Sequence, residues 1–370
     1  MKKFRLVSIA LFLITSIFYY GCEPQADMPK PETSILPERF GIDIPNALSS
    51  ENVLSNGRVA AIDTLKGNEI YQHLNLFIHL GEGAAEIVGE IIHGLRMYQI
   101  NKPMSLSFES DEDGRTKNLV VSENPSFDGE NWDFMLTITD ASSESEPDGG
   151  KGLQLFWNRY PIKGIAIIKP YNTNREKDQG FEDAIFRIDY SEGGEHGYEN
   201  HMIVSIANLP LADPLDEPYA MNALKMFVGK EGDNIDVYGN SNHPNATFFA
   251  GNAGFNWAFV ASGSESKDIG VAEVGLPPSN LDAPDKETLL DYYSIKNVFT
   301  REIYEVWPNI DQSSVDAYLF NTGSPGYFAD HGFVSGGESP GEEYNDLEYR
   351  LSLLSPYNPK EISNLSINFK

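Results

Sequence analysis

Between Met104 and Val274 the chain alternates apolar and polar residues with a period of two. Met104, Leu106 and Phe108 are separated by serines. The alternation recurs in Trp132/Phe134/Leu136/Ile138, Leu153/Leu155/Trp157, Phe186/Ile188/Tyr190, Met202/Val204/Ile206, Leu224/Met226/Val228 and Phe255/Trp257/Phe259. Successive side chains of a strand point to opposite faces, so this pattern predicts strands with one apolar face. Ile165 to Ile168 is a continuous apolar run and predicts a more buried strand. Asp113-Gly114, Asp128-Gly129, Asp148-Gly149-Gly150, Gly193-Gly194 and Gly232-Asp233 supply turn chemistry between the runs. Roughly ten such strands with no helix between them predict a large curved antiparallel sheet or an open barrel.

Before the strands, Thr64 to Ile100 reads as a long helix. Ile70, Leu74, Phe77, Ile78, Ala84, Ala85, Val88, Ile91, Ile92 and Leu95 recur at three- and four-residue spacings. Gly81, Gly83, Gly89 and Gly94 each weaken an isolated helix, which predicts close approach to another backbone or a break near Gly81. This helix would cover the apolar face of the sheet. After Leu276-Pro277-Pro278 a second helix is expected from Pro284 to Trp307, with Asp282 near its cap. Residues 321–345 read as loop, and Leu351 to Leu354 as a last strand. The expected fold class is therefore α+β. Its divisions are a signal segment at 1–21, an extended tether at 22–38, a helix-plus-sheet domain at 39–276 and a helical, loop-rich C-terminal elaboration at 277–370.

The first residues give an address. Lys2, Lys3 and Arg5 precede an apolar run from Leu6 to Tyr20, shorter than the ~20 residues of a membrane span. Gly21 and Cys22 follow, and Cys22 is the only cysteine among 370 residues. A lone cysteine can make neither an internal disulfide nor a cysteine-based zinc site. This arrangement resembles the signal peptide and lipobox of bacterial lipoproteins, with Tyr19 where the family usually has Leu. The resemblance implies diacylation of the Cys22 sulfur, cleavage before it and acylation of the new amine. One acyl chain binds a membrane marginally, whereas two or three hold stably. Gln25-Ala26-Asp27 resembles the export tags of Bacteroidota surface lipoproteins, which implies an outer-membrane, surface-exposed protein. Pro24, Pro29, Pro31 and Pro37 favour an extended tether of roughly 45 Å. The architecture is also similar to the half-barrel lipoprotein carriers of the bacterial envelope, which implies an apolar ligand.

Charge narrows the partners. The chain carries 27 basic and 55 acidic side chains, a formal charge of −28. Loss of Lys2, Lys3 and Arg5 with the signal would deepen this to −31. Nucleic-acid binding depends on Lys and Arg replacing phosphate counterions, so no nucleic-acid partner is expected.

Several residue groups could carry chemistry. Glu195, His196, Glu199 and His201 crowd one loop, and imidazole with carboxylate oxygen suits zinc. The ordinary alternative is a polar hairpin loop, and no resident metal or cofactor is expected. Asn240, Asn242, His243 and Asn245 lie in a stretch read as a loop followed by Phe248 and Phe249. Amides beside aromatics can read sugar hydroxyls, though they more commonly satisfy turn backbones. Thr64, in Asp63-Thr64-Leu65, resembles the O-glycosylation acceptor of Bacteroidota, while Asp63 could equally cap a helix. Glu90-Ile91-Ile92-His93 spells the Glu-x-x-His of di-iron bundles, but one copy without a bundle reads as a solvated helix face with Glu86. Asp111-Glu112-Asp113-Gly114 lacks the rest of a calcium loop and reads as a turn. No nucleophile elbow, P-loop or dinucleotide fingerprint is present. The leading expectation is a lipid-anchored, non-catalytic protein that binds an apolar or glycan ligand. The alternatives are a metal-dependent or carboxylate-based hydrolase and a structural subunit of an envelope complex.

Overall fold

The computed structural model describes residues 35–37, 39–49, 67–97, 100, 102–176, 180–211, 213, 219–247, 253–330 and 332–370. Cys22, Thr64 and most of the expected tether lie outside them. The chain is α+β, and thirteen of its strands belong to a large antiparallel sheet that does not close. Contacts divide the described residues into two compact units: those within 1–41, 83–193 and 367–370 form one, those within 42–82 and 194–366 the other. Helix α1 (Gly67–Met97) is continuous and gives residues to both. No described helix is long and apolar enough to cross a membrane.

The first unit holds β1 (Met104–Glu109), β2 (Thr116–Glu123), the small hairpin β3 (Ser126–Phe127) and β4 (Glu130–Asn131), β5 (Phe134–Asp140), β6 (Lys151–Arg159), β7 (Ile162–Ile168) and β8 (Ile185–Ser191), with a short helix α2 (Pro170–Thr173). The strands pair in sequence order, β1-β2-β5-β6-β7-β8. The register aligns Val121, Leu136, Leu155, Ala166 and Ile188 in one apolar row. A neighbouring row runs Phe134, Trp157, Gly164, Tyr190. Gly164 has no side chain because Phe40 occupies that place: a Cβ there would stand 2.5 Å from the Phe40 ring. Trp157 is fully buried and donates its Nε1–H to the Ile35 carbonyl at 2.6 Å. Ile35, Leu36 and Pro37, expected in the extended tether, are thus buried in this unit. On the opposite face Phe127 stacks on Phe156 at 4.4 Å, so the β3–β4 hairpin covers part of it.

The second unit holds β9 (Asn200–Ala207), β10 (Ala223–Glu231), β11 (Asn234–Thr247), β12 (Ala253–Ser264), β13 (Ile269–Gly275), β14 (Gly326–Ala329) and β15 (Gly332–Gly336). A six-residue π-helix (Glu287–Tyr292), α3 (Ile295–Val306), α4 (Gln312–Tyr318), α5 (Asn345–Ser352) and α6 (Pro359–Ser363) complete it. One sheet face presents Leu224, Met226, Gly239, Trp257, Phe259, Ala261 and Val274. The first half of α1 packs there: Phe77 meets Trp257 edge-on at 5.1 Å, and Tyr71 lies over Gly326. Gly81 faces the end of the Met226 side chain, so its small size serves close side-chain packing and the helix does not break. Gly89 and Gly94 have open space where a Cβ would be, so close approach explains neither. The other face presents Ala258, Val260, Ile269, Val271 and Tyr327 to Leu289, Leu290, Tyr344, Leu347, Leu351 and Leu354. Both faces of this part of the sheet are therefore packed with the chain's own side chains.

Three local expectations need correction. The single helix expected from Pro284 to Trp307 is interrupted at Tyr293 and Ser294. The Tyr293 carbonyl accepts from Leu276 N at 2.8 Å, and Ser294 begins α3 as its N-cap. The expected loop at 321–345 contains β14 and β15, which are short and glycine-flanked and so show little periodicity. Leu351 to Leu354, expected as a strand, begins inside the last turns of α5, where Leu347 and Leu351 are buried at the four-residue spacing of a helix.

Candidate functional site

The histidine loop comes first. Gly194 and His196 both adopt positive φ, so a short 3-10 turn over Glu195–Gly197 precedes β9. The turn brings the His196 and His201 rings together edge-on at 4.7 Å. His201 is buried and stacks on Phe227 at 5.7 Å, and Glu195 Oε2 lies 3.8 Å from its Nε2. Glu199 is exposed, and its backbone N–H is held by the Lys230 carbonyl at 3.0 Å. Among the described residues, no three His, Cys, Asp or Glu side chains converge in a way that could hold a metal ion. The loop thus brings together His196, His201 and, less closely, Glu195, and leaves Glu199 apart.

The asparagine-rich segment is a strand. Asn240, Asn242 and His243 lie within β11 and are buried. A strand sends alternate residues to opposite faces, and here the two faces do different work. Asn240 and Asn242 face the C-terminal layer. The Asn240 side-chain oxygen accepts from Tyr357 N at 2.8 Å. Asn242 Nδ2 donates to Ser279 and Ser363 at 2.9 and 3.0 Å, and Asn256 on β12 also donates to Ser363, at 3.3 Å. The amides are therefore engaged within the fold, fastening α6 to the sheet. Asn245 is half-buried where the β11–β12 pairing slips between His243 and Thr247. Phe248 and Phe249 lie outside the described residues.

His243 faces α1 instead, among Phe77, Phe255 and Trp257. Its Nδ1 meets the Tyr219 carbonyl at 2.9 Å, and a carbonyl can only accept, so Nδ1 carries the proton. Nε2 then accepts from the Ser241 hydroxyl at 2.8 Å. Burial pushes its pKa down to about 4, so the ring is neutral at physiological pH. A serine hydroxyl donating to an imidazole is the ground-state arrangement of a serine nucleophile. Here both residues are fully buried and the third partner is a carbonyl, so no substrate can reach the pair. It is a satisfied core histidine. The two-residue spacing of Ser241 and His243 places them on one face, a signal visible once the segment is read as a strand.

The strongest electrostatic assembly was not apparent from sequence. Asp140 is fully buried and accepts from Arg115 Nε and Nη2 at 2.6 and 2.8 Å, from Lys117 Nζ at 3.0 Å and from Ser143 Oγ at 3.0 Å. Lys117 fills its other two donors with Asp113 Oδ2 at 2.9 Å and the Asn172 carbonyl at 3.1 Å. Burial alone would raise the Asp140 pKa, but the hydrogen bonds from Arg115, Lys117 and Ser143 outweigh it and hold the carboxyl well below its usual range. The register makes this possible, because Phe108, Lys117 and Asp140 are successive cross-strand partners. Asp113 in the β1–β2 turn thus serves a lysine. With every ammonium donor taken, the assembly is structural.

Glu86, Glu90 and His93 are exposed along α1, a solvated face. Two shallow surface depressions lie elsewhere. One, of about 420 Å³, is lined by Glu287, Thr288, Asp291, Tyr292 and Asn297 beside the π-helix. The other, of about 560 Å³, is lined by Val306, Trp307, Pro308, Asn309 and Ile310. Neither contains a candidate binding or catalytic residue named from the sequence. No family model, curated protein or solved structure matches this chain.

Proposed function

We propose that this chain is a lipid-anchored envelope protein, held at the outer membrane through Cys22 and exposed at the cell surface, whose folded body is a non-catalytic structural component. The observation that carries the second half is the filling of both faces of the β10–β13 region. Trp257, Phe259 and Met226 pack under α1, while Val260, Val271 and Tyr327 pack under α5 and its neighbours. A carrier of apolar ligands needs a concave apolar surface left open. The amides that could have read a glycan, Asn240 and Asn242, bond instead to Tyr357, Ser279 and Ser363. The metal-dependent hydrolase reading loses support in the same way, since among the described residues the His196/His201 loop gathers too few ligands, and the Ser241–His243 pair is sealed.

The anchor rests on the lone cysteine at the end of the Leu6–Tyr20 apolar run. Labelled palmitate should enter the wild-type protein and be absent from Cys22→Ser; label retained by the variant would refute the anchor. Native mass spectrometry of protein extracted from cells tests the body. The expected spectrum shows acylated protein alone, and a stoichiometric co-purified lipid or glycan would overturn the structural reading in favour of a carrier.

A further inference from the structure

Open sheets end in strands whose outer N–H and C=O groups are unpaired, and proteins normally blunt such edges with charge, proline, bulges or short strands. The edge at β15 is blunted. It has five residues, begins and ends with glycine, and slips register against β14 between Tyr327 and Phe328. The edge at β1 is not. It pairs with β2 through six consecutive residues without a slip. From Met104 to Phe108 it carries no charge and no proline. Met104, Leu106 and Phe108 are half-buried on one face, and Ser105 and Ser107 are exposed on the other. Among the described residues no strand pairs with its outer edge.

We infer that the β1 edge is a dimerisation surface, and that its occupant is β1 of a second copy of this chain, running antiparallel about Leu106. The five residues read apolar-Ser-apolar-Ser-apolar and so are symmetric in chemistry about their centre. A twofold axis at Leu106 sets Leu106 opposite itself, Met104 opposite the partner's Phe108, and Ser105 opposite the partner's Ser107. Every pair then matches in kind, and the apolar row of one sheet continues into the next, as an isologous contact requires. Charge permits this contact. The chain carries −28, so most surfaces of two copies repel, whereas Met104 to Phe108 is uncharged and this register sets no like charges opposite each other. Glu109 falls opposite the partner's Pro103. The inference does not depend on the lipid anchor.

The test is sedimentation velocity of the full chain in detergent. Wild type should sediment as a dimer. Ser105→Lys with Ser107→Lys places lysine opposite lysine twice across the axis and should give monomer. Ser105→Lys with Ser107→Glu places opposite charges in the same two positions and should restore the dimer, which also shows that the exposed positions tolerate substitution. A monomeric wild type, a dimer indifferent to the double lysine variant, or a charge-swapped variant that stays monomeric would each overturn the proposal. So would a monomeric wild type that dimerises when residues 23–34 are deleted, since the chain's own N-terminal segment would then be the strand on this edge.

Discussion

Asp140 shows how much can depend on one carboxylate. It is fully buried and holds two cations, Arg115 and Lys117, the second of which is itself buried. Removing one partner of such a group leaves an uncompensated buried charge, which costs about 3–5 kcal/mol. Because Asp113 still pairs with Lys117, Asp140→Asn should lose less than that, about 1–3 kcal/mol, in denaturant titrations; a loss below about 1 kcal/mol would mean that Asp113 alone suffices for Lys117. The pH dependence follows from the same contacts. A carboxylate whose folded pKa lies below its unfolded value near 4 stabilises the fold fully above that value, and the stabilisation is lost as pH falls through the folded pKa. Asp113 and Asp148 are also held low, despite burial, by hydrogen bonds to Lys117 and Lys169. Stability should therefore drop steeply below about pH 4, and the slope should be shallower in Asp140→Asn. Sequence could not reveal this hub, because Lys117 and Asp140 meet only through strand pairing and Asn172 reaches them from α2. The turn at Asp113-Gly114 was legible, but its use was not.

At the scale of elements, strands with clean alternation were legible and those with mixed faces were not. β6, β8, β9, β10 and β12 carry apolar residues on one face in strict period, and the sequence locates each of them. β11 was hidden by its composition. Asn240 and Asn242 occupy one face and Gly239, Ser241 and His243 the other, so the segment has the amides and small residues of a turn. Tertiary partners overrode local preference: the C-terminal residues supply the amides' hydrogen bonds, and Phe77 of α1 with Phe255 and Trp257 of β12 forms the aromatic wall around His243. The α6 seam can be probed directly. Ser363 accepts from Asn242 and Asn256 and donates to the Ser279 carbonyl at 2.6 Å. Ser363→Ala leaves two buried amides short of a partner, which should cost about 1–3 kcal/mol. Amide exchange should rise at α6 first; a variant as stable as wild type would mean that water replaces the hydroxyl.

Across the whole molecule the dominant quantity is charge. The net charge of −28 opposes compaction, while exposed ion pairs such as Lys360–Asp282 are screened by solvent and contribute little. Salt from about 10 to 200 mM shortens the screening length from roughly 30 to under 10 Å, so it should weaken the repulsion more than the pairs. The melting temperature should rise across that range, and a fall would show that the ion pairs outweigh the net field. The class of fold was legible at this scale, since period-two runs with local turns leave few alternatives to an antiparallel sheet. The two-unit division was not, because each unit draws on separated stretches of chain.

The polar face of β11 and β12 bears on how the protein is made. Asp236, Asn240, Asn242, Asn256 and Ser262 lie on the side that the residues after Pro278 later cover. Those covering residues follow the strands in the chain and so are made after them. Until they arrive, this side of the newly paired strands meets water with amides, a carboxylate and a hydroxyl among its apolar residues. Such a surface is a poor template for sticking to other nascent chains. The hydrogen bonds that secure the C-terminal layer thus come from the same groups that would keep this side of the sheet polar before it is covered.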